Sequence, residues 1–345
     1  MKGALGERCQ ALFTRARISR SEKTSGPAIA LASDFSTEGE GVMGRPLRMY
    51  GSDGYYFVTA RCFQSRLLLR PSPQVNEVLG GVLARAAAQA KVEVCGFVAA
   101  SSHVHLLCRA RDGELSKFMR YFLCNVSKKV GRLVNWTGSF WERRFSAEPV
   151  LDKESLDGRL RYIIAHGVKE GLVRKVADWP GLSCVPQLLG ESKRAFRFYE
   201  WAKRWKSGRL VEGGQRAWSP KWATTEVLEV HPLEHWQVQP PEKRRARVRR
   251  MIATIEADAR AKHRWVLGRD KVLAAHPHTR PRKPDRRPRP RVHVSTLLAK
   301  RIYMTEYQSF VASFKDAVKW LRSGVLRKAA EFPAYSFSPV VPVRV

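Results

Sequence analysis

Val92-Glu-Val-Cys-Gly-Phe-Val-Ala99, Ala100-Ser-Ser102 and His103-Val-His-Leu-Leu-Cys-Arg109 read together as two apolar strands joined by a tight turn. A strand shows alternate side chains on one face, so His103 and His105 point the same way, with Val104 behind them. Further on, Tyr162-Ile-Ile-Ala-His166 places a tyrosine and a histidine at i and i+4, one face of a helix. Strand and helix side by side give three imidazoles for a divalent metal and a phenol beside them. Such a set suits cleavage of a phosphodiester by a tyrosine nucleophile, since positive charge must meet the phosphoryl oxygens as they gain negative charge.

Working outward, Tyr55–Cys62 is β-rich. Val75, Val78, Leu79, Val82, Leu83 and Ala86 form an i, i+3, i+4 stripe that predicts an amphipathic helix over 74–90. Leu115–Val134 is a basic amphipathic helix, a strand is expected within 139–150, and Leu156–Val173 is the final helix. The order βαββαβ-α is that of an α+β, ferredoxin-like domain, with the two histidines on a central strand. On the last helix Leu160, Ile163, Ile164, Gly167 and Val168 make the apolar stripe, and Tyr162 and His166 fall opposite it.

Several stretches resemble a known family. His-hydrophobic-His followed by one tyrosine is similar to the HUH single-strand nucleases, specifically the single-tyrosine transposases. Met43-Gly-Arg-Pro-Leu-Arg48 with Tyr55-Tyr-Phe-Val-Thr-Ala-Arg61 resembles the family's opening, and Phe140-Trp-Glu-Arg-Arg-Phe145 its basic turn. Tyr162–Val173 and Asp178-Trp-Pro-Gly-Leu-Ser183 resemble its tyrosine helix and the tail behind it. Residues 43–185 carry the likeness, which is nearest to the REP-associated tyrosine transposases.

The resemblance implies that Tyr162 attacks single-stranded or hairpin DNA, forms a 5′-phosphotyrosine and releases a 3′-OH. It implies His103, His105 and His166 as ligands of one Mg²⁺ or Mn²⁺, with no other cofactor. Where the family usually has Asn-Pro, this chain has His166-Gly167, which leaves metal preference open. Family members often act as homodimers, but the long extension here favours a monomer by covering the sheet edge.

Composition agrees with a polyanionic partner. The 345 residues hold 63 Lys+Arg against 31 Asp+Glu, a net charge of +32, far beyond what solubility needs. Lys128, Lys129 and Arg132 on the second helix, with Arg143 and Arg144 after it, are the expected DNA contacts. An ordinary solvated charged face is the plainer reading of the same residues. No 18-residue apolar run exists, so no membrane association is expected. Six scattered cysteines without a Cys-x-x-Cys pair read as reduced thiols of a cytoplasmic, nucleoid-associated protein.

The flanks differ in character. Residues 1–42 lack periodicity and are expected to be disordered, with Met43 as a candidate true start. Residues 186–270 form a basic, Trp-rich extension expected to be mostly helical, including a helix at 242–263. Its tryptophans fit base stacking and a packed core equally well. Residues 271–292 read as an extended Arg/Pro-rich linker, and 293–345 as a C-terminal helical segment with Phe310, Phe314, Val318 and Leu321 at helical spacing. Two other functions remain open. One is a rolling-circle initiator, although those often carry a helicase with G-x-x-x-x-G-K-[ST], absent here. The other is a domesticated, non-catalytic DNA- or RNA-binding protein.

Overall fold

The apolar runs form a four-stranded sheet of β1 (Asp53–Arg61), β2 (Glu93–Ala99), β3 (His103–Arg111) and β4 (Ser146–Val150). Its order is β2-β3-β1-β4 and every pairing is antiparallel. The structure, a computed structural model, describes residues 46–206, 218–281, 290–323 and 331–337. The expected tail 1–42, the candidate start at Met43, Cys9 and the Arg/Pro run 282–289 lie outside the described residues. The turn expected at Ala100-Ser-Ser102 closes with Ala100 N–H donating to the His103 carbonyl at 2.8 Å. Hydrogen-bonded on both sides, β3 is one of the two inner strands, as its near-continuous apolar run demands.

Helix α1 (Pro73–Ala90) starts where Ser72 caps it, its side chain accepting from Val75 N–H at 3.1 Å, with Pro73 in the first turn. Helix α2 (Leu115–Leu133) packs along α1. Helix α3 (Lys153–Lys169) is capped by Asp152, which accepts from Ser155 N–H at 2.8 Å. It lies over β2 and β3. Gly96 on β2 makes that approach possible: a Cβ there would stand 2.9 Å from Leu160 Cδ1.

The extension adds to its helices a strand pair that the mostly helical expectation did not include. Strands β5 (Lys193–Tyr199) and β6 (Ala223–Glu229) form a separate antiparallel pair. Phe196 and Phe198 alternate with Ala195 and Arg197, a period of two that buries both rings and exposes their neighbours. The pair docks on α1 through two glycines. A Cβ on Gly80 would come within 2.3 Å of the Phe196 ring, and one on Gly81 within 2.2 Å of the Arg197 carbonyl. Arg85 of α1 then bridges Glu200 at 2.8 Å and Glu226 at 2.6 Å.

Three short helices lie in this part of the chain, α4 (Val185–Leu189) before the strand pair, α5 (Trp201–Lys206) between its strands and α6 (Glu234–Gln237) after it. The helix expected at 242–263 is α7 (Pro241–Lys262), which packs on α3. Of its expected apolar face, Val248, Ile255 and Ala259 are buried, while Met251 and Ile252 are half-buried. Asp157 of α3 binds His235 of α6 at 3.0 Å and Arg247 of α7 at 2.5 Å, tying both helices to α3.

Of the linker expected at 271–292, the first residues are structured, while its Arg/Pro run 282–289 lies outside the described residues. Helix α8 (Arg269–Ala274) begins it, and residues 276–279 are docked. Leu67 N–H donates to the Thr279 carbonyl at 3.2 Å, and the His278 ring meets the Val134 carbonyl at 2.7 Å.

Both edges of the main sheet are covered. At β2, Ala99 N–H donates to Leu182 at 2.8 Å, Cys184 N–H to Phe97 at 3.0 Å and His231 N–H to Val94 at 2.8 Å. At β4, His293 N–H donates to Pro149 at 2.8 Å and Leu151 N–H to His293 at 3.1 Å, a parallel bridge. Helix α9 (Leu297–Arg322) follows, burying Tyr303 and Tyr307 in a small cluster with Val292 and Met49. Its expected stripe of Phe310, Phe314, Val318 and Leu321 is half-buried. Among the described residues no helix is long and apolar enough to cross a membrane.

Candidate metal and nucleophile site

The two-residue period of β3 sends His103 and His105 to the face under α3 and buries Val104 behind. One turn of α3 brings His166 down between them. The ring centroids stand 4.7 Å (103–105), 4.8 Å (103–166) and 5.1 Å (105–166) apart. One nitrogen from each residue lies within 4.8 Å of the others.

Hydroxyls orient two of the rings. Ser102 Oγ meets His103 Nδ1 at 3.1 Å, and Thr59 Oγ1 meets His105 Nδ1 at 2.9 Å. Thr59 is His105's direct partner across the β1–β3 ladder, so the sheet register sets this contact. A hydroxyl that accepts from Nδ1–H leaves the Nε2 lone pair for a ligand, the arrangement that metal-binding histidines commonly show.

His166 differs from its expected setting. Placed opposite the apolar stripe, it is nonetheless only 3% exposed, because the histidine face of the sheet closes over it. Burial lowers its pKa to about 4, with Glu170 raising it and Lys169 and Arg61 lowering it further. It is therefore neutral near pH 7. Its Nδ1 is buried with no hydrogen-bond partner, a costly state for a polar atom unless something binds it. Three imidazoles suit Mn²⁺ or Zn²⁺ by ligand type, and Mg²⁺ when oxygen ligands complete the set. The donor set thus fits a divalent ion held by His103, His105 and His166.

Tyr162 stands beside this cluster, half-buried, with its ring 5.3 Å from that of His105 and 6.1 Å from that of His166. The Phe57 ring meets it edge-on at 5.7 Å. Burial raises the phenol pKa above its usual value; Glu170 adds to the rise, and Arg159 and Arg61 oppose it. Lys169 Nζ lies 4.1 Å from the centre of the Tyr162 ring and the Arg159 guanidinium 5.5 Å. The sequence reading missed these two cations. Their offsets of −3 and +7 from Tyr162 put them on its helical face, a signal that was available.

Gly167 has a packing role on α3. A Cβ there would be 2.8 Å from the Trp179 ring, so glycine lets the tail residue pack against α3 while the helix runs on to Lys169.

The five expected DNA contacts divide. Lys128 and Arg132 are exposed on α2, and Arg143 and Arg144 are exposed in the following turn. Lys129 is corrected: it is 4% exposed, donates to the Tyr199 carbonyl at 2.6 Å and lies over the Phe198 and Trp201 rings. It holds the β5–β6 pair and is not on the surface.

Residues 55–166 match the family model described as IS200-like transposase, a segment that contains all four site residues. This part of the chain is similar to transposases. Among solved structures, a REP-associated tyrosine transposase bound to a REP hairpin is 20% identical, covering 43% of this chain and 87% of that one, with a TM-score of 0.38. A candidate transposase from Deinococcus radiodurans R1 is 16% identical, covering 35% of this chain and 95% of that one, with a TM-score of 0.26. No curated protein matches.

Proposed function

We propose that the protein is a transposase that cleaves and rejoins single-stranded or hairpin DNA with Tyr162 as nucleophile, on a ferredoxin-like HUH domain spanning 43–185. The observation that carries this reading is the meeting of Tyr162 with three neutral or hydroxyl-oriented imidazoles on one face of the sheet. His103, His105 and His166 would hold Mg²⁺ or Mn²⁺. Such an ion supplies Lewis-acid stabilisation of the phosphoryl oxygens when bound.

The chain's own residues do the rest. Because the Tyr162 phenol is protonated near neutral pH, its proton must pass to solvent as Oη bonds to phosphorus, and the departing 3′-oxygen takes one proton up from solvent. The bond from phosphorus to the 3′-oxygen breaks, giving a 5′-phosphotyrosine and a free 3′-OH. The phosphodiester energy is retained for rejoining. Arg159 and Lys169, both at the Tyr162 ring, are placed to meet the negative charge of the phosphate. Exposed Lys128, Arg132, Arg143 and Arg144 would hold the backbone away from the reacting bond. A monomer is supported by the covering of both sheet edges, which removes the free strands that a second copy would pair with.

The test is to incubate the full chain with single-stranded oligonucleotides from its gene's own flanks and Mn²⁺ or Mg²⁺, then run a denaturing gel. A covalent protein–DNA adduct at Tyr162 is expected. Tight binding with no adduct under any divalent ion would leave a DNA-binding protein without catalysis.

A further inference from the structure

A third cation stands at the other end of the site from Arg159 and Lys169. The period that turns Phe57 and Thr59 toward α3 brings Arg61, the last residue of β1, to the same face. Its ladder partner is His103, as that of Thr59 is His105. Along β1 the site is therefore a row. Phe57 meets the Tyr162 ring, Thr59 meets His105 Nδ1, and Arg61 ends the row beside His103, about 7 Å beyond Thr59. The charge of Arg61 reaches both ends of α3's contribution. It opposes the burial-driven rise of the Tyr162 pKa and adds to the burial-driven fall at His166.

A strained turn seats this guanidinium. Arg61 donates to Ser65 Oγ at 3.5 Å. Gln64 and Ser65 have φ of 54° and 57°, left-handed values that residues with a Cβ rarely adopt. Such strain collects at functional sites. The extension clips the same turn: Arg66 donates to the His278 carbonyl, Leu67 N–H to that of Thr279 at 3.2 Å and Arg70 to that of Leu273.

In a displacement at phosphorus the attacking and departing oxygens lie roughly in line. An attack by Tyr162 from the Phe57 end sends the 3′-oxygen toward the Arg61 end. We propose that Arg61 is the leaving-group residue of the cleavage step, its N–H groups meeting the 3′-oxygen as the electron pair of the broken P–O bond passes to it. The proposal rests on the reading of Tyr162 as nucleophile. Oη bonds to phosphorus, the phenol proton goes to solvent, and solvent supplies the proton that makes the 3′-OH. Arg61 keeps its own protons throughout, as a guanidinium does. Arg159 and Lys169 serve the attacking side and Arg61 the departing one.

The experiment pairs two oligonucleotides from the gene's own flanks. They are identical except that one carries sulfur in place of the bridging 3′-oxygen at the position the full-length parent cuts. A thiolate departs without help from a donor, since a thiol is far more acidic than an alcohol. With Mn²⁺, Arg61→Gln should lower adduct formation about 10²-fold on the oxygen strand, the loss typical of one missing donor to a developing oxyanion, and at most about threefold on the sulfur strand. Arg61→Lys retains the charge. It should fall between parent and Arg61→Gln on oxygen and match the parent on sulfur, which gives the same comparison where Arg61→Gln folds poorly. Affinity for the uncut oxygen strand in EDTA should change by no more than about twofold, because the donor is needed only as charge develops. Equal losses on both strands in both variants, or an affinity loss as large as the rate loss, would overturn the role of Arg61 and leave Tyr162 as the nucleophile. A parent that forms no adduct would remove the nucleophile, and this assignment with it.

Discussion

Helices α2 and α3 each bury a residue that could have been a surface charge, and they do so for opposite reasons. On α2, Lys129 falls in line with Phe118, Phe122 and Val126, inside the helix's own apolar stripe. It ends against the Tyr199 carbonyl and two aromatic rings, with its hydrogen bond made. On α3, His166 falls outside the stripe and ends among two more imidazoles, with Nδ1 unsatisfied. A buried polar group that is satisfied marks packing; one left unsatisfied among other donors marks a site.

The strongest way to break this contrast is at the nucleophile. Tyr162→Phe keeps the ring and removes only the attacking oxygen, so adduct formation should fall by about 10⁴-fold or more while DNA affinity changes little. An undiminished adduct, formed through Tyr121 for example, would show that the α3 face is not the reacting one. Next come the imidazoles. His103→Ala or His105→Ala should cost about 10²–10³ in cleavage rate, the several kcal/mol that a metal's charge supplies. His166→Ala should cost less, since water can take the third ligand's place. Cleavage that persists in full with EDTA would remove the metal from the reaction and leave His166's burial unexplained.

What was legible in the sequence follows from how local each signal is. The strands at 93–99 and 103–111 and the starts of α1 and α3 stand in short patterns: alternation, Ser72 before Pro73, and Asp152 ahead of an apolar stripe. His103, His105, Tyr162 and His166 needed only strand and helix periods plus the resemblance. The covering of the sheet edges by 182–184 and by His293 was not legible, because backbone pairing between distant segments leaves no mark on composition. Lys129 was legible in principle: its place in the stripe outweighed its charge, and reading it as a phosphate contact gave charge the greater weight. The β5–β6 pair had a signal in the alternation of Phe196 and Phe198, masked by surrounding lysines, arginines and tryptophans that suggested a helix.

The third prediction tests what buries Lys129. The β5–β6 pair reaches it only because α1 offers Gly80 and Gly81 to the incoming backbone. In Gly81→Ala the new methyl would meet the Arg197 carbonyl at 2.2 Å, and backbone cannot swing aside as a flexible side chain does. Overpacking of this kind costs about 1–3 kcal/mol. Denaturant unfolding should show that loss. Gly158→Ala, with nothing near its Cβ on α3, should show none or a slight gain. Equal stability of the two variants would mean that the strand pair is not seated on α1.

The smallest effect is the titration of Lys129 itself. Burial lowers its pKa from 10.5 to about 8, with Arg85 and Lys128 adding to the fall and Glu200 opposing it. Below about pH 8 the amine is charged in both folded and unfolded chains, and the folded state bears the full cost of burying that charge. Between about pH 8 and 10.5 the folded chain has released the proton while the unfolded chain still holds it. The unfolded state then binds more protons, so Lys129's contribution to stability rises with pH across that window. Lys129→Met keeps the length and removes the charge. It should be more stable than the parent at pH 7 by about 1–2 kcal/mol once solvent screening is allowed for, and the gap should narrow as pH climbs through the window. Loss of the hydrogen bond to Tyr199 works against the gain, which is why the trend with pH is the sharper measure. Matched unfolding curves at pH 7 and pH 10 give that trend. A gap that stays constant would place Lys129's charge in solvent, and the contrast with His166 would then rest on His166 alone.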